Sequence, residues 1–156
     1  MVRVLELDRA HGVHPSLLEL LASWEREGSH DVVVAPNGGL RTDARLQAAL
    51  ASGGASAAST LRSTPHGRAA ALDVWPVSFL AHVPRAQGGT ASRWTSWEAL
   101  PADVREAFAA FGRFAEVRGF VWGGRWRGKT FPHGDQPHVE LREWRTMPFP
   151  PPVYLG

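Results

Sequence analysis

The sequence predicts an α+β fold in which a small antiparallel sheet is packed with helices. Three stretches carry this reading. Pro101 to Arg118 repeats apolar residues at helical spacing, Asp31 to Ala35 is a β-branched run fit for a buried strand, and His138 to Leu141 alternates polar with apolar residues as a half-buried strand does.

Each element has its own signals. Pro15 to Arg26 reads as the first helix: Leu17, Leu18, Leu20, Leu21 and Trp24 recur at helical spacing, Pro15 suits the first turn, and Gly28 follows the end. Asp31 to Ala35 is the first predicted strand. Thr42 to Ala51 reads as a second helix, followed by a Gly- and Ser-rich loop from Ser52. Pro65, His66 and Gly67 supply turn chemistry, and Ala69 to Val74 is an apolar run that predicts a short strand ending before Pro76. Val77 to Thr95 is the least regular stretch and reads as a long loop. In the helix from Pro101 to Arg118, Val104, Ala107, Phe108, Phe111 and Phe114 form one face, and Gly119 ends it. Phe120 to Trp122 and Pro137 to Leu141 then read as closing strands, and the proline-rich tail from Met147 to Gly156 as an extended segment against the body.

Composition narrows the function classes. At 156 residues the chain is expected to be one domain, residues 1–156, with no internal repeat and a core large enough to need no staples. With no cysteine there is neither a disulfide nor a thiolate to bind a metal. Net charge is a mild +2, which does not demand nucleic acid. No apolar run is long enough to span a membrane, and Met1 to Ala10 alternates charged and apolar residues, so no secretory leader is expected.

The residues that carry chemistry are His66 and Asp73 in S-T-P-H-G-R-A-A-A-L-D-V-W-P and His138 in H-G-D-Q-P-H-V-E-L. Two imidazoles and one carboxylate leave a tetrahedral zinc one open position, which zinc catalysis needs for water. On one helix His66 and Asp73 would stand about 10 Å apart along the axis, and on one strand about 23 Å. A turn followed by a strand brings them together, and Pro65 to Val74 offers both. His138 and Glu140 share one strand face, with Val139 and Leu141 on the other. Asp135, before the bend at Pro137, is the leading candidate for a general base; Glu140 is its rival, or a partner that orients a ligand. His133 competes as a ligand but suits a loop near substrate better, while His11, His14, His30 and His82 read as surface or structural histidines.

These segments resemble the zinc D,D-carboxypeptidase and L-alanyl-D-glutamate endopeptidase family, which includes vancomycin-resistance dipeptidases and many phage endolysins. S-T-P-H-G-R-A-A-A-L-D is similar to the family motif S-x-H-x-x-G-x-A-x-D, keeping its His-to-Asp spacing at His66 and Asp73 and its alanine at Ala71. Asp135 and His138 match the family's general base and third ligand, three residues apart. V-V-V-A-P-N-G-G-L-R-T-D-A-R-L-Q looks like the family's strand followed by S-G-Y-R-S/T and a downstream Gln, with Arg41 on the family's arginine. A guanidinium there can grip a carboxylate or a developing oxyanion through paired hydrogen bonds; alternatively, Arg41 only begins the helix at Thr42. The chain departs from the pattern at Ala69, where glycine is common, at Ser63 and Gln47, each displaced by one residue, and at Arg125, where W-G-G-R-W replaces W-G-G-D-W.

The resemblance implies a hedgehog- or D,D-peptidase-like α+β fold, Zn2+ held by His66, Asp73 and His138, and catalysis by Asp135 and Arg41. The implied substrate is a peptidoglycan stem peptide, cut between L-alanine and D-glutamate as by an endolysin, or at a terminal D-alanyl-D-alanine bond. The chain is expected to act as a monomer without a separate cell-wall-binding domain, and to stay cytoplasmic until it reaches the wall as a phage or prophage lysis enzyme. Two other readings remain at this stage. One is a non-catalytic zinc-binding domain of the same fold. The other is a nucleic-acid-binding module built from Arg113, Arg118, Arg125, Arg127 and Lys129 around Phe120, Trp122 and Trp126.

Overall fold

The computed structural model describes residues 1–41, 64–83 and 97–147. The expected helix from Thr42 to Ala51, the loop after it, Gln47, Ser63, the later part of the Val77 to Thr95 stretch and the tail beyond Met147 lie outside the described residues.

Five strands and two α-helices organise the described chain: β1 (Val4–Leu5), α1 (Pro15–Glu27), β2 (Val32–Val34), β3 (Ala71–Pro76), α2 (Ala102–Val117), β4 (Val121–Trp122) and β5 (His138–Glu140). The sheet order is β1-β2-β3-β5-β4, and the fold is α+β as expected. The sheet is mixed rather than purely antiparallel, because β1 pairs parallel to β2 while the other pairs are antiparallel. α1 connects β1 to β2, and a helical crossover returns the chain in the same direction.

α1 starts where Pro15 fixes φ for the first turn and the Nδ1 of His14 accepts the N–H of Ser16 at 3.2 Å. Leu17, Leu20, Leu21 and Trp24 are buried along it, whereas Leu18 is 43% exposed, since one residue of helix turns it away from that stripe. Burying each such leucine stabilises the fold by about 1.5–3 kcal/mol. The face expected on α2 is buried at Val104, Ala107, Phe108 and Phe111. Phe114 sits at the margin, its ring edge-on to Trp24 at 5.0 Å and its face under the Arg118 guanidinium.

β3 runs through Pro76 instead of stopping before it. The N–H of Ala35 donates to Asp73 O at 2.9 Å and that of Val77 to Asp31 O at 3.0 Å, so Pro76, opposite Val32, sits where the ladder asks for no donor. Beyond it, Val77–His82 forms a 3-10 turn that buries Phe79, where an irregular loop was expected.

Strand alternation divides the interior. Val32, Val34, Leu72, Val74 and Val139 join Leu17, Leu21 and Trp24 in one cluster; Val33 and Trp75 join Phe79, Trp97 and Phe108 in another. α2 serves both, through Phe111 and Ala115 in the first and Val104 and Phe108 in the second. The face of the second cluster is also the face onto which the pleat turns Asp73, His138 and Glu140. No described helix is long and apolar enough to cross a membrane.

Candidate metal centre

Register and one turn assemble the site. Asp73 on β3 lies directly across from His138 on β5, so both side chains leave the same face of the sheet. His66 arrives from a 3-10 turn, His66–Arg68, in which the N–H of Gly67 donates to Thr64 Oγ1 at 3.0 Å. Ala69 closes that turn in the left-handed region, φ 58°, with its N–H donating to His66 O at 3.2 Å. The turn brings His66 Nε2 to 3.4 Å from Asp73 Oδ2.

His66, Asp73 and His138 each offer a ligand atom, and these atoms lie within 4.8 Å of one another, so the group could hold a metal ion. The outward atoms of both rings are already engaged. His66 Nδ1 is 3.0 Å from the carbonyl of Gly39, which can only accept, so Nδ1 carries the proton and Nε2 keeps its lone pair toward Asp73. His138 Nε2 is 2.9 Å from Glu140 Oε1, while its Nδ1 turns to Asp73 Oδ1 at 3.1 Å. Metal-binding histidines are oriented in this way by a carbonyl or carboxylate on the far nitrogen. Gly39 must be glycine for its carbonyl to reach His66: a Cβ there would lie 2.2 Å from Arg9 O.

Burial and charge set the protonation of the cluster. Desolvation and the nearby Arg41 guanidinium lower the His66 pKa, which favours the neutral, ligating imidazole. Burial also disfavours charge on His138, but hydrogen bonds to Asp73 and Glu140 outweigh it and raise its pKa to about 10. Burial opposes ionisation of Asp73 too, yet His66 and His138 hold its carboxyl well below the usual range. Asp135 is raised to about 7 by desolvation and by the charge of Asp73. Its Oδ2 stands 4.0 Å from His138 Nδ1, and its buried Oδ1 has no hydrogen-bond partner among the described residues. A buried carboxylate oxygen without a partner, beside nitrogen and oxygen donors whose outer atoms are satisfied, fits a site built to receive a metal and its water.

Arg41 belongs to this cluster. It is 6% exposed, its Nη2 is 3.4 Å from Asp73 Oδ2, and its Nε donates to Asn37 O at 3.1 Å. The N–H of Arg41 donates to His66 O at 3.2 Å, tying its backbone to the metal-site turn.

A family model described as D-alanyl-D-alanine carboxypeptidase matches residues 57–141, more than half of the chain. The chain belongs to this peptidase family. The matched segment contains His66, Asp73, Asp135, His138 and Glu140, and begins after Arg41. No curated protein matches the chain.

Where the chain departs from the D,D-carboxypeptidase motif, the structure gives physical content. Ala69 occupies a left-handed φ that glycine adopts freely, so alanine is strained there by about 1–2 kcal/mol. Arg125, in place of a frequent acid, pairs with Glu116 at 3.0 Å.

Several candidates fall outside the cluster. His133 pairs with Glu98 at 2.9 Å on the surface and is not among the grouped ligands. The proposed stacking groove is taken apart: Arg113 pairs with Glu106, Arg118 with Glu27 and Arg125 with Glu116, while Phe120 and Trp122 are buried in the core. Trp126 instead packs its ring 5.1 Å from that of His138. The contribution of Gly39 is invisible in the sequence, because a backbone carbonyl leaves no trace in side-chain spacing, and Trp126 stands among the basic residues rather than in a metal motif.

Proposed function

We propose that this protein is a zinc-dependent peptidase that hydrolyses peptidoglycan stem peptides, acting as a single catalytic domain. The observation that carries the reading is the three-residue donor set, with the far nitrogens of both histidines held by Gly39 and Glu140 and, beside it, an Asp135 oxygen that has no partner among the described residues. A structural zinc site would be expected to close its fourth position with another protein ligand; Asp135 and Arg41 lie beside the three donors, and neither is among the grouped ligands.

His66 Nε2, Asp73 and His138 Nδ1 would hold the ion. When bound, zinc supplies the Lewis acidity that acidifies water and polarises a carbonyl. Asp135 takes the proton from the attacking water and returns it to the departing amine. Arg41 presents its guanidinium to the oxygen that gains charge, or to a substrate carboxylate. Glu140 keeps the proton of His138 on Nε2 and so keeps Nδ1 aimed inward.

The scissile bond is read from products. Purified protein is incubated with peptidoglycan, with and without a chelator, and released fragments and new amino termini are identified by mass spectrometry. New N-terminal D-glutamate would identify an L-alanyl-D-glutamate endopeptidase of endolysin type, and free D-alanine a D-alanyl-D-alanine carboxypeptidase. Absence of metal-dependent release from several wall types would favour the non-catalytic zinc-binding reading.

A further inference from the structure

A groove of about 530 Å³ is bordered by Arg105 and Ala109 of α2 and by Trp122, Arg125, Arg127 and Gln136. A smaller pocket of about 160 Å³, walled by Trp97, Phe108 and His133, shares Arg105, Arg127 and Gln136 with it. The two are therefore neighbours that share three lining residues, and Gln136 directly follows the proposed base.

Charge along these pockets is mixed. Glu106 pairs with Arg113 and Arg125 with Glu116, while Glu98 contacts His133 and also feels the charge of Arg127. The Arg105 side chain is exposed and has no partner among the described residues. Arg127 makes no ion pair among the described residues, but it is held in place: Nη1 donates to Gly124 O at 2.9 Å and to Trp126 O at 2.6 Å. A Cβ on Gly134, the residue before Asp135, would come within 3.0 Å of that Nη1. The same short segment reaches the metal cluster, since Trp126 packs on His138. Two guanidinium groups with no close ion pair among the described residues thus border the loop that carries the base.

We propose that Arg105 and Arg127 form a carboxylate subsite that selects stem peptides whose acidic residue carries a free carboxylate over those in which it is amidated. The inference rests on the peptidase reading. Planar guanidinium forks match a carboxylate in charge and in hydrogen-bond geometry. A phosphodiester polymer fits less well, because two arginines do not continue into a row of free cations and Glu98 and Glu106 interrupt the rim.

The test uses two stem peptides that differ only in a free carboxylate or a carboxamide on the acidic residue. The zinc-loaded wild-type protein is expected to prefer the acid by about tenfold in kcat/KM, the scale of one charge-assisted contact at a partly exposed site. The preference should shrink with added salt, fall in Arg105→Gln, and collapse toward one in Arg105→Gln/Arg127→Gln. Arg105→Gln serves if the double variant does not fold, since its side chain has no described partner to lose. Equal hydrolysis of acid and amide by the wild type, or a preference unchanged in Arg105→Gln, overturns the subsite. So does competition by a glycerol-phosphate oligomer with no effect of amidation. If neither peptide is cut, the peptidase reading fails, and calorimetric binding of the same pair still decides the groove. Tighter binding of the acid that Arg105→Gln abolishes supports the subsite, and equal binding refutes it.

Discussion

His138 and Glu140, two residues apart on β5, are joined by a 2.9 Å contact between Nε2 and Oε1 that leaves Nδ1 toward Asp73. Both side chains leave one strand face because the side-chain period of a strand is two. Of the roles open to Glu140, this contact fits a partner that orients a ligand, and it leaves Asp135 the freer carboxylate.

Glu140→Ala should therefore weaken zinc binding by about 10- to 100-fold, the usual cost of removing a partner that orients a ligand. Glu140→Gln keeps an acceptor oxygen and should lose less. Competition with a chromophoric chelator checks both, and equal affinity of all three proteins would remove Glu140 from this role.

Asp135→Asn should retain zinc yet lose about 10²–10⁴-fold in turnover, the range for removing a general acid–base group. Zinc content and turnover, measured on one preparation, separate this outcome from simple loss of metal. Full turnover with zinc bound would shift the role of base to Glu140.

Arg41→Lys should cost about 10²–10³-fold in kcat, because an ammonium cannot reproduce a guanidinium that reaches Asp73, Asn37 O and the site together. Steady-state kinetics test this. A variant with normal kcat and only a raised KM would make Arg41 a binding residue alone.

Protonation gives the metal-free protein a distinctive pH response. His138 is raised from 6.5 to about 10, so its contribution to stability is complete below about 6.5 and is lost as pH climbs through 10. Asp135 is raised from 3.8 to about 7, so the folded state holds the extra proton between those values and loses stability as pH rises across them. Asp73 is lowered, and its contribution is present above 3.8 and lost on further acidification. Below 6.5 the lowered His66 opposes the Asp135 effect, so melting of chelator-treated protein should decline chiefly from about pH 6.5 to 10, the window of His138. Zinc must displace the Nδ1 proton of His138, so its apparent affinity should rise by up to about tenfold per pH unit over the same range. A flat titration would contradict the His138 assignment.

Much of this architecture was legible in the chain. Pro15 and Gly28 bracket α1, the alternation His-Val-Glu-Leu identifies β5 and its two faces, and Pro65 to Val74 supplies the turn and strand that unite His66 with Asp73. What stayed hidden depends on partners distant in sequence. β1 is only two residues long and gains its pairing from β2, 28 residues away. The Arg and Trp cluster looked like a surface because spacing does not reveal that Glu27, Glu106 and Glu116 neutralise three of its arginines. The unusual Ala69 was visible as a departure, but only its φ explains why glycine suits that place.

The central claim is a zinc held by two imidazoles and one carboxylate with a position left for water. X-ray absorption spectroscopy of the zinc-loaded protein tests it most directly. The account predicts four nitrogen or oxygen neighbours at about 2.0–2.1 Å with an imidazole signal from two rings, falling to one ring in His138→Ala. Three imidazoles, or a spectrum unchanged in that variant, would contradict it.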